Sequence, residues 1–177
     1  MPRNNNLIKE WMKKNTDLIE KLISDWNKER PELDVVAMSV VGRIMKLGKI
    51  FEKDASDALK SSGIHYSDFD VLATIRRSGA PYELTPKQLM ESVLITSGAM
   101  TALLNRLTKL KLIYRAPDKN DGRIILAGLT EKGKQLIDKA IKIRFEVAKT
   151  SVSLLSEKEF KILSKLLKKL TLSLDYL

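Results

Sequence analysis

Apolar residues recur at helical spacing along most of this chain, and one short stretch alternates instead. Over residues 7–28, Leu7, Trp11, Leu18, Leu22, Ile23 and Trp26 share a face with charges between them, and Pro31 predicts an end near Lys28. A longer helix is expected from about Glu32 to Lys60. Its stripe is Val36, Val40, Val41, Ile44, Leu47, Phe51, Ala55 and Leu59, and Ser61-Ser62-Gly63 stops it. Ser67 to Ser78 reads as the next helix, with Ser67 as N-cap and Phe69, Val71, Leu72 and Ile75 on the buried side. Gly79-Ala80-Pro81 then breaks the chain.

A capping hydroxyl followed by proline, Thr85-Pro86, marks a short helix ending near Val93. Thr96 or Ser97 caps another that runs to about Leu110. Met100, Leu103, Leu104, Leu107 and Leu110 line one side of it, and Ser97, Gly98, Thr101, Ala102, Asn105 and Lys109 the other. The period then changes. Ile113-Tyr114-Arg115 and Ile124-Ile125-Leu126 are β-prone, and the turn formers from Pro117 to Gly122 make the unit a hairpin. Thr130 caps a long helix to roughly Thr150, and Ser156 a last one to about Ser173. Leu136, Ile137, Ile141, Phe145, Phe160, Leu163, Leu167 and Leu170 are among their apolar positions.

Helix, turn, helix, then a two-stranded ribbon with a basic tip is an order that suits DNA. A recognition helix needs a small, polar N-terminal face to enter a major groove about 12 Å wide. Thr96, Ser97, Thr101 and Ala102 supply that face, and Asn105 sits one turn on, where it can read an adenine edge. Arg106 joins the candidate DNA contacts on the same helix. Arg123, past the hairpin tip, is placed to enter a narrow minor groove, with Asp121 holding its guanidinium or bracing the turn. Lys87, Arg115 and Lys119 are candidate phosphate contacts. The competing account is a core helix whose small face packs on a neighbour, with the three cations as ordinary surface charge.

Charge sharpens this choice. The formal net charge is +10, and residues 85–130 hold seven basic against three acidic groups, where 31–84 hold seven against eight. The positive balance therefore falls on the helix-turn-helix and ribbon, which favours a polyanion partner. Residues 131–177 hold eleven against six, read as solvated helix faces. The absence of cysteine excludes disulfides and thiolate metal sites. A single histidine, His65, leaves a transition-metal site to carboxylates alone, so no metal and no cofactor are expected. No apolar run reaches the ~18 residues of a membrane span, and no secretory signal opens the chain, so a soluble cytoplasmic protein with no membrane partner is expected. No nucleophile–base pairing or phosphate loop suggests an enzyme, and His65 reads as a loop residue.

Several stretches are similar to the MarR family of bacterial and archaeal transcription regulators. They are Phe69-Asp70-Val71-Leu72-Ala73-Thr74, Leu84-Thr85-Pro86, Thr96-Ser97-Gly98-Ala99-Met100-Thr101, Arg115-Ala116-Pro117-Asp118, Asp121-Gly122-Arg123 and Leu129-Thr130-Glu131-Lys132-Gly133. The resemblance covers about residues 33–150. It implies a mainly α fold, a winged helix-turn-helix with N- and C-terminal dimerisation helices. Residues 1–60 would supply N-terminal dimerisation helices and a ligand pocket, 61–130 the DNA-binding lobe, and 131–177 the C-terminal dimerisation helices. The implied assembly is a homodimer on double-stranded DNA, with recognition helices on the order of 34 Å apart over a pseudo-palindromic operator.

Trp26, Glu29-Arg30-Pro31-Glu32-Leu33-Asp34 and the run from Phe69 to Gly79 also resemble a urate-responsive branch with an additional N-terminal helix. That likeness implies release of DNA by a small aromatic or anionic effector. Trp26 would stack on it, Asp70 would face it, and Arg43, Arg76 and Arg77 are candidate cations. The chain departs from the branch in Ala102-Leu103-Leu104-Asn105-Arg106-Leu107, where Leu103 stands in place of the arginine implicated in sensing the anion. Two functions stay open: an effector-released repressor, or a winged-helix module for DNA association or protein contact without a small-molecule switch.

Overall fold

A computed structural model of the chain describes residues 15–93 and 96–175. Among them are seven α-helices and one small antiparallel sheet, so the fold is mainly helical. The chain divides into two compact units: residues 52–148 form one, and the described parts of 1–51 and 149–177 form the other.

The unit that holds residues 15–51 contains α1, Leu18–Glu29, and the first part of α2, Val36–Leu59, which continues into the other unit from Glu52. The single helix expected over residues 7–28 instead starts at Leu18. Asp17 and Glu20 close a capping box there, with Asp17 Oδ1 accepting from Glu20 N at 2.8 Å and Glu20 Oε2 from Asp17 N at 3.1 Å. Leu7 and Trp11 lie outside the described residues. The next helix begins at Val36 rather than Glu32, because Asp34 Oδ1 takes the Val36 N–H at 3.0 Å. The last helix, Glu157–Leu174, starts as expected at the Ser156 cap. The apolar stripes of this unit remain open to solvent: Val36, Val40, Val41, Ile44 and Leu47 are exposed, as are Phe160, Leu163, Leu167 and Leu170.

Residues 52–148 hold the core. In chain order come α3 (Tyr66–Arg77), β1 (Glu83–Leu84), α4 (Pro86–Ser92), α5 (Ser97–Lys109), β2 (Ile113–Pro117), β3 (Ile125–Leu129) and α6 (Glu131–Ser151), which continues into the other unit. The Glu157–Leu174 helix is then α7. Leu72 and Ile75 of α3 meet Leu89 of α4 and Met100, Leu104 and Leu107 of α5 in one apolar cluster, closed by Leu112, Ile113 and Ile137. Leu110, expected on the same face, is exposed because α5 ends one residue before it.

Helix α3 starts from a cap two residues before the Ser67 that the sequence suggests. His65 is the N-cap, and Asp68 Oδ2 accepts its N–H at 2.9 Å. A carboxylate three residues on thus outweighs a serine hydroxyl, and His65 is a capping residue rather than a free loop residue. The Thr85 expectation holds: its hydroxyl accepts from Gln88 N at 3.2 Å, Gln88 Oε1 returns a bond at 2.8 Å, and Pro86 opens α4.

The sheet order is β1-β3-β2, antiparallel throughout, with Ile113 opposite Leu129 and Pro117 opposite Ile125. The second ribbon strand runs Ile125–Leu129, later than expected, and β1 was not foreseen. Ile124 is held in the turn, its N–H donating to the Asp121 carbonyl at 2.9 Å. Tyr114 ties β1 to the ribbon. Its ring crosses over Gly128, where an added Cβ would lie 2.4 Å from the ring, and its hydroxyl donates to Glu83 on β1 at 2.6 Å. Only a residue without a side chain lets that cross-sheet tie form.

Candidate nucleic-acid interface

Helix α5 presents the small face the sequence describes. Ser97, Gly98, Thr101, Ala102 and Asn105 are exposed, while Met100, Leu103, Leu104 and Leu107 are buried. Its hydroxyls are partly committed. Thr96 Oγ1 caps the helix by accepting from Ala99 N at 3.4 Å, and the Thr101 hydroxyl donates to the Ser97 carbonyl at 3.1 Å. Thr96 still has its proton to give, whereas Thr101 is left as an acceptor. The C-terminal end is held by Lys132, which donates to the Leu110 carbonyl at 3.0 Å and favours the negative pole of the helix.

The wing is the β2–β3 ribbon and its turn. Asp118 Oδ1 accepts from the backbone of Asn120 and Asp121 at 2.8 and 3.0 Å, and Asp118 N bonds the Ile124 carbonyl at 2.8 Å. At the tip, Asp121 grips Arg123 through both carboxylate oxygens, at 3.0 and 3.1 Å. The guanidinium lowers the Asp121 pKa, and Arg123 is 90% exposed. Lys119 is exposed on the same turn, and Lys87 is exposed on α4. Arg115 joins Ala102, Asn105, Arg106 and Lys109 around an open concavity of about 880 Å3 between α5 and β2. Arg106 has a partner that sequence reading missed: Asp68, fully buried, 3.2 Å away.

The five candidate effector residues fall in both units, Trp26 and Arg43 in one and Asp70, Arg76 and Arg77 in the other. Trp26 walls an apolar cavity of about 410 Å3 with Leu22, Leu33 and Met38 in the unit that holds α1. Arg43 of that unit does not line it. It bonds Asp17 at 2.8 Å and the Ser39 carbonyl at 2.9 Å, tying α1 to α2. Asp70 and Arg76 belong to the other unit. Arg76 is taken up by Asp138 at 2.7 Å and lies 4.8 Å from the Tyr82 ring centre, so it braces α6. Asp70 instead shares a cleft of about 360 Å3 with Phe69, Thr74, Arg77, Ser92 and Val93. Burial raises its pKa, against the lowering pull of Arg144 and Arg77. Arg77, and Arg144 which the sequence did not single out, are therefore the cations that act on Asp70. Leu103, in the position of the branch's sensing arginine, is 8% exposed and packed in the core.

A three-helix core carrying a helix-turn-helix and followed by a basic ribbon is the architecture of a winged-helix DNA-binding regulator. A family model described as the MarR family matches residues 62–124. The chain is 30% identical over 141 residues to the HTH-type transcriptional regulator PecS of Dickeya dadantii (strain 3937), covering 80% of this chain and 85% of that protein. The mutant MarR of E. coli complexed with operator DNA shares the fold at a TM-score of 0.66 and 24% identity, over 88% of this chain and 99% of that one. The organohalide-sensing transcriptional regulator RdhR in its 2,4-dichlorophenol-bound form does so at 0.67 and 24%, over 78% and 80%. This chain belongs to the MarR family of winged-helix transcriptional regulators.

Proposed function

We propose that this regulator is a homodimeric repressor that binds a pseudo-palindromic operator and leaves it when a small aromatic anion binds. The observation that carries the reading is the bare, small face of α5 beside a wing whose tip is a fully presented arginine. Ser97, Ala102 and Asn105, with Thr96 and Thr101, meet base edges in the major groove. Arg106, Lys87, Arg115 and Lys119 neutralise phosphates, and Arg123 enters the flanking minor groove. The open apolar stripes of α2 and α7 supply the dimer contact. Their large apolar side chains lie open to solvent, surface that a second copy would cover. Residues 1–60 and 131–177 thus provide dimerisation, and 61–130 the DNA-binding lobe.

The effector reading keeps the kinship to the urate-responsive branch but shifts its chemistry. The Asp70 cleft offers a carboxylate of raised pKa, the Arg77 cation and the Phe69 ring, a set suited to a planar acid that can share a proton. A related fold accommodating 2,4-dichlorophenol supports an aromatic ligand. Anisotropy with a labelled fragment of the DNA upstream of the gene tests the whole. Expected are a two-fold-symmetric footprint, and release by a urate- or phenol-type acid at concentrations that also raise the melting temperature. Binding that no such compound reverses leaves the second reading, a winged-helix module without a switch. The burial of Leu103 in place of a recognition-helix cation is the observation that favours it.

A further inference from the structure

Asp68 is a fully buried carboxylate in the DNA-binding unit. Its Oδ1 has no hydrogen-bond partner among the described residues. Its Oδ2 accepts from the His65 N–H at 2.9 Å and lies 3.2 Å from Nη2 of Arg106. Capping α3 needs only one acceptor, which a neutral side chain supplies without the cost of burying a charge. The negative charge therefore has a use beyond the cap, and Arg106 is the cation it faces. Arg106 emerges from α5 into the concavity it shares with Asn105, Lys109 and Arg115, whose lining among the described residues holds three cations and no acid.

We infer that Asp68 is a positioning residue for DNA binding. By holding one end of the Arg106 guanidinium from inside the core, it fixes the other donors beside Lys109 and Arg115 as a seat for one backbone phosphate of the duplex. The inference rests on the DNA-binding reading above. A guanidinium is suited to this because its planar fork serves two partners at once, which an ammonium on a flexible stem does not. Without the buried anchor, the long side chain must be ordered at the moment of binding, and the contact weakens.

The sign of one substitution separates this from plain electrostatics. Asp68→Asn removes a negative charge from a DNA-binding surface, so charge alone predicts tighter binding. Positioning predicts weaker binding, on the order of ten-fold, with a salt slope shallower by up to roughly 0.9, the share of one phosphate. The assay is fluorescence anisotropy of the full chain with a labelled operator duplex across a salt series. Arg106→Gln should weaken binding similarly, and the Asp68→Asn/Arg106→Gln double variant should match Arg106→Gln alone, because Asp68 acts through Arg106. Arg106→Lys keeps the charge, lacks the fork, and should also bind more weakly; it carries the test if Asp68→Asn does not fold. Equal or tighter binding by Asp68→Asn, additive losses in the double variant, or wild-type affinity in Arg106→Lys overturns the inference while leaving the DNA reading intact. A wild-type chain with no salt-dependent duplex binding overturns both.

Discussion

A single methyl group added at Gly133 should loosen the joint between the recognition helix, the wing and α6. A Cβ built there lies 1.9 Å from the Leu112 carbonyl oxygen and 2.8 Å from its carbon, both backbone atoms that cannot rotate aside. The same carbonyl accepts from Thr130 N at 3.1 Å, and the Thr130 hydroxyl is shared between it and the Lys111 carbonyl at 3.1 and 2.7 Å. Relieving the clash moves the first turn of α6 and gives up two or three of these bonds, at about 1 kcal/mol each. Ile137 and Ala140, both fully buried on α6, must repack for about 1–3 kcal/mol more. Helix propensity works the other way, favouring alanine by about 1 kcal/mol. The net for Gly133→Ala is a loss of about 2–5 kcal/mol, read as a lower urea midpoint by circular dichroism. Gly48→Ala in α2 is the control, because its Cβ meets nothing within 4 Å among the described residues. It should be neutral or stabilising by up to about 1 kcal/mol. A Gly133→Ala protein as stable as wild type would refute the close-approach argument.

Arg123→Ala should weaken operator binding and flatten its salt slope by roughly 0.9, with no change in melting temperature, since its bond to Asp121 is a surface pair; salt-series anisotropy that matches wild type would remove the wing from the interface. Asp70→Asn should raise the melting temperature at pH 7. The Asp70 pKa is raised in the fold, by burial first, so the charged form costs stability as pH rises through it. That gain should close as pH falls toward and below the ordinary value of 3.8, and a gain independent of pH would contradict it. Leu167→Glu on α7 should raise the dimer dissociation constant on the order of a hundred-fold by sedimentation, because it sets a charge in the proposed interface. Undisturbed dimers would place the contact elsewhere.

Where the fold was legible, the determining chemistry was local. Thr85-Pro86, Thr96 and Ser156 each begin a helix because a side-chain oxygen a few atoms away takes an otherwise unbonded N–H. The buried side of α5 followed from spacing alone. Where reading failed, the deciding partner was distant or unexpected. Strand β1 is two residues long, too short for any alternation, and exists because β3 and the Tyr114 hydroxyl reach it. Ser67 lost the cap to His65 because Asp68 supplies the acceptor three residues on. Arg76 and Arg77 are adjacent and chemically equal in the sequence. Asp138, 62 residues away, claims the first and leaves the second beside Asp70.

The proximity of Asp68 and Asp70 bears on how release could work without an arginine at position 103. Two positions on a helix stand roughly 200° apart around its axis, so the two carboxylates serve opposite sides of α3. One side grips Arg106 in the recognition helix, and the other faces the Arg77 cleft. On the proposed reading, an anion seated in that cleft would meet the same turn of α3 that carries Asp68. A displacement of that turn would alter the Asp68–Arg106 geometry, since Arg106 is the one cation paired with Asp68 among the described residues. Leu103 is packed in the core and offers an anion no charge. With leucine rather than arginine at position 103, the proposed effector would have α3 as its route to α5.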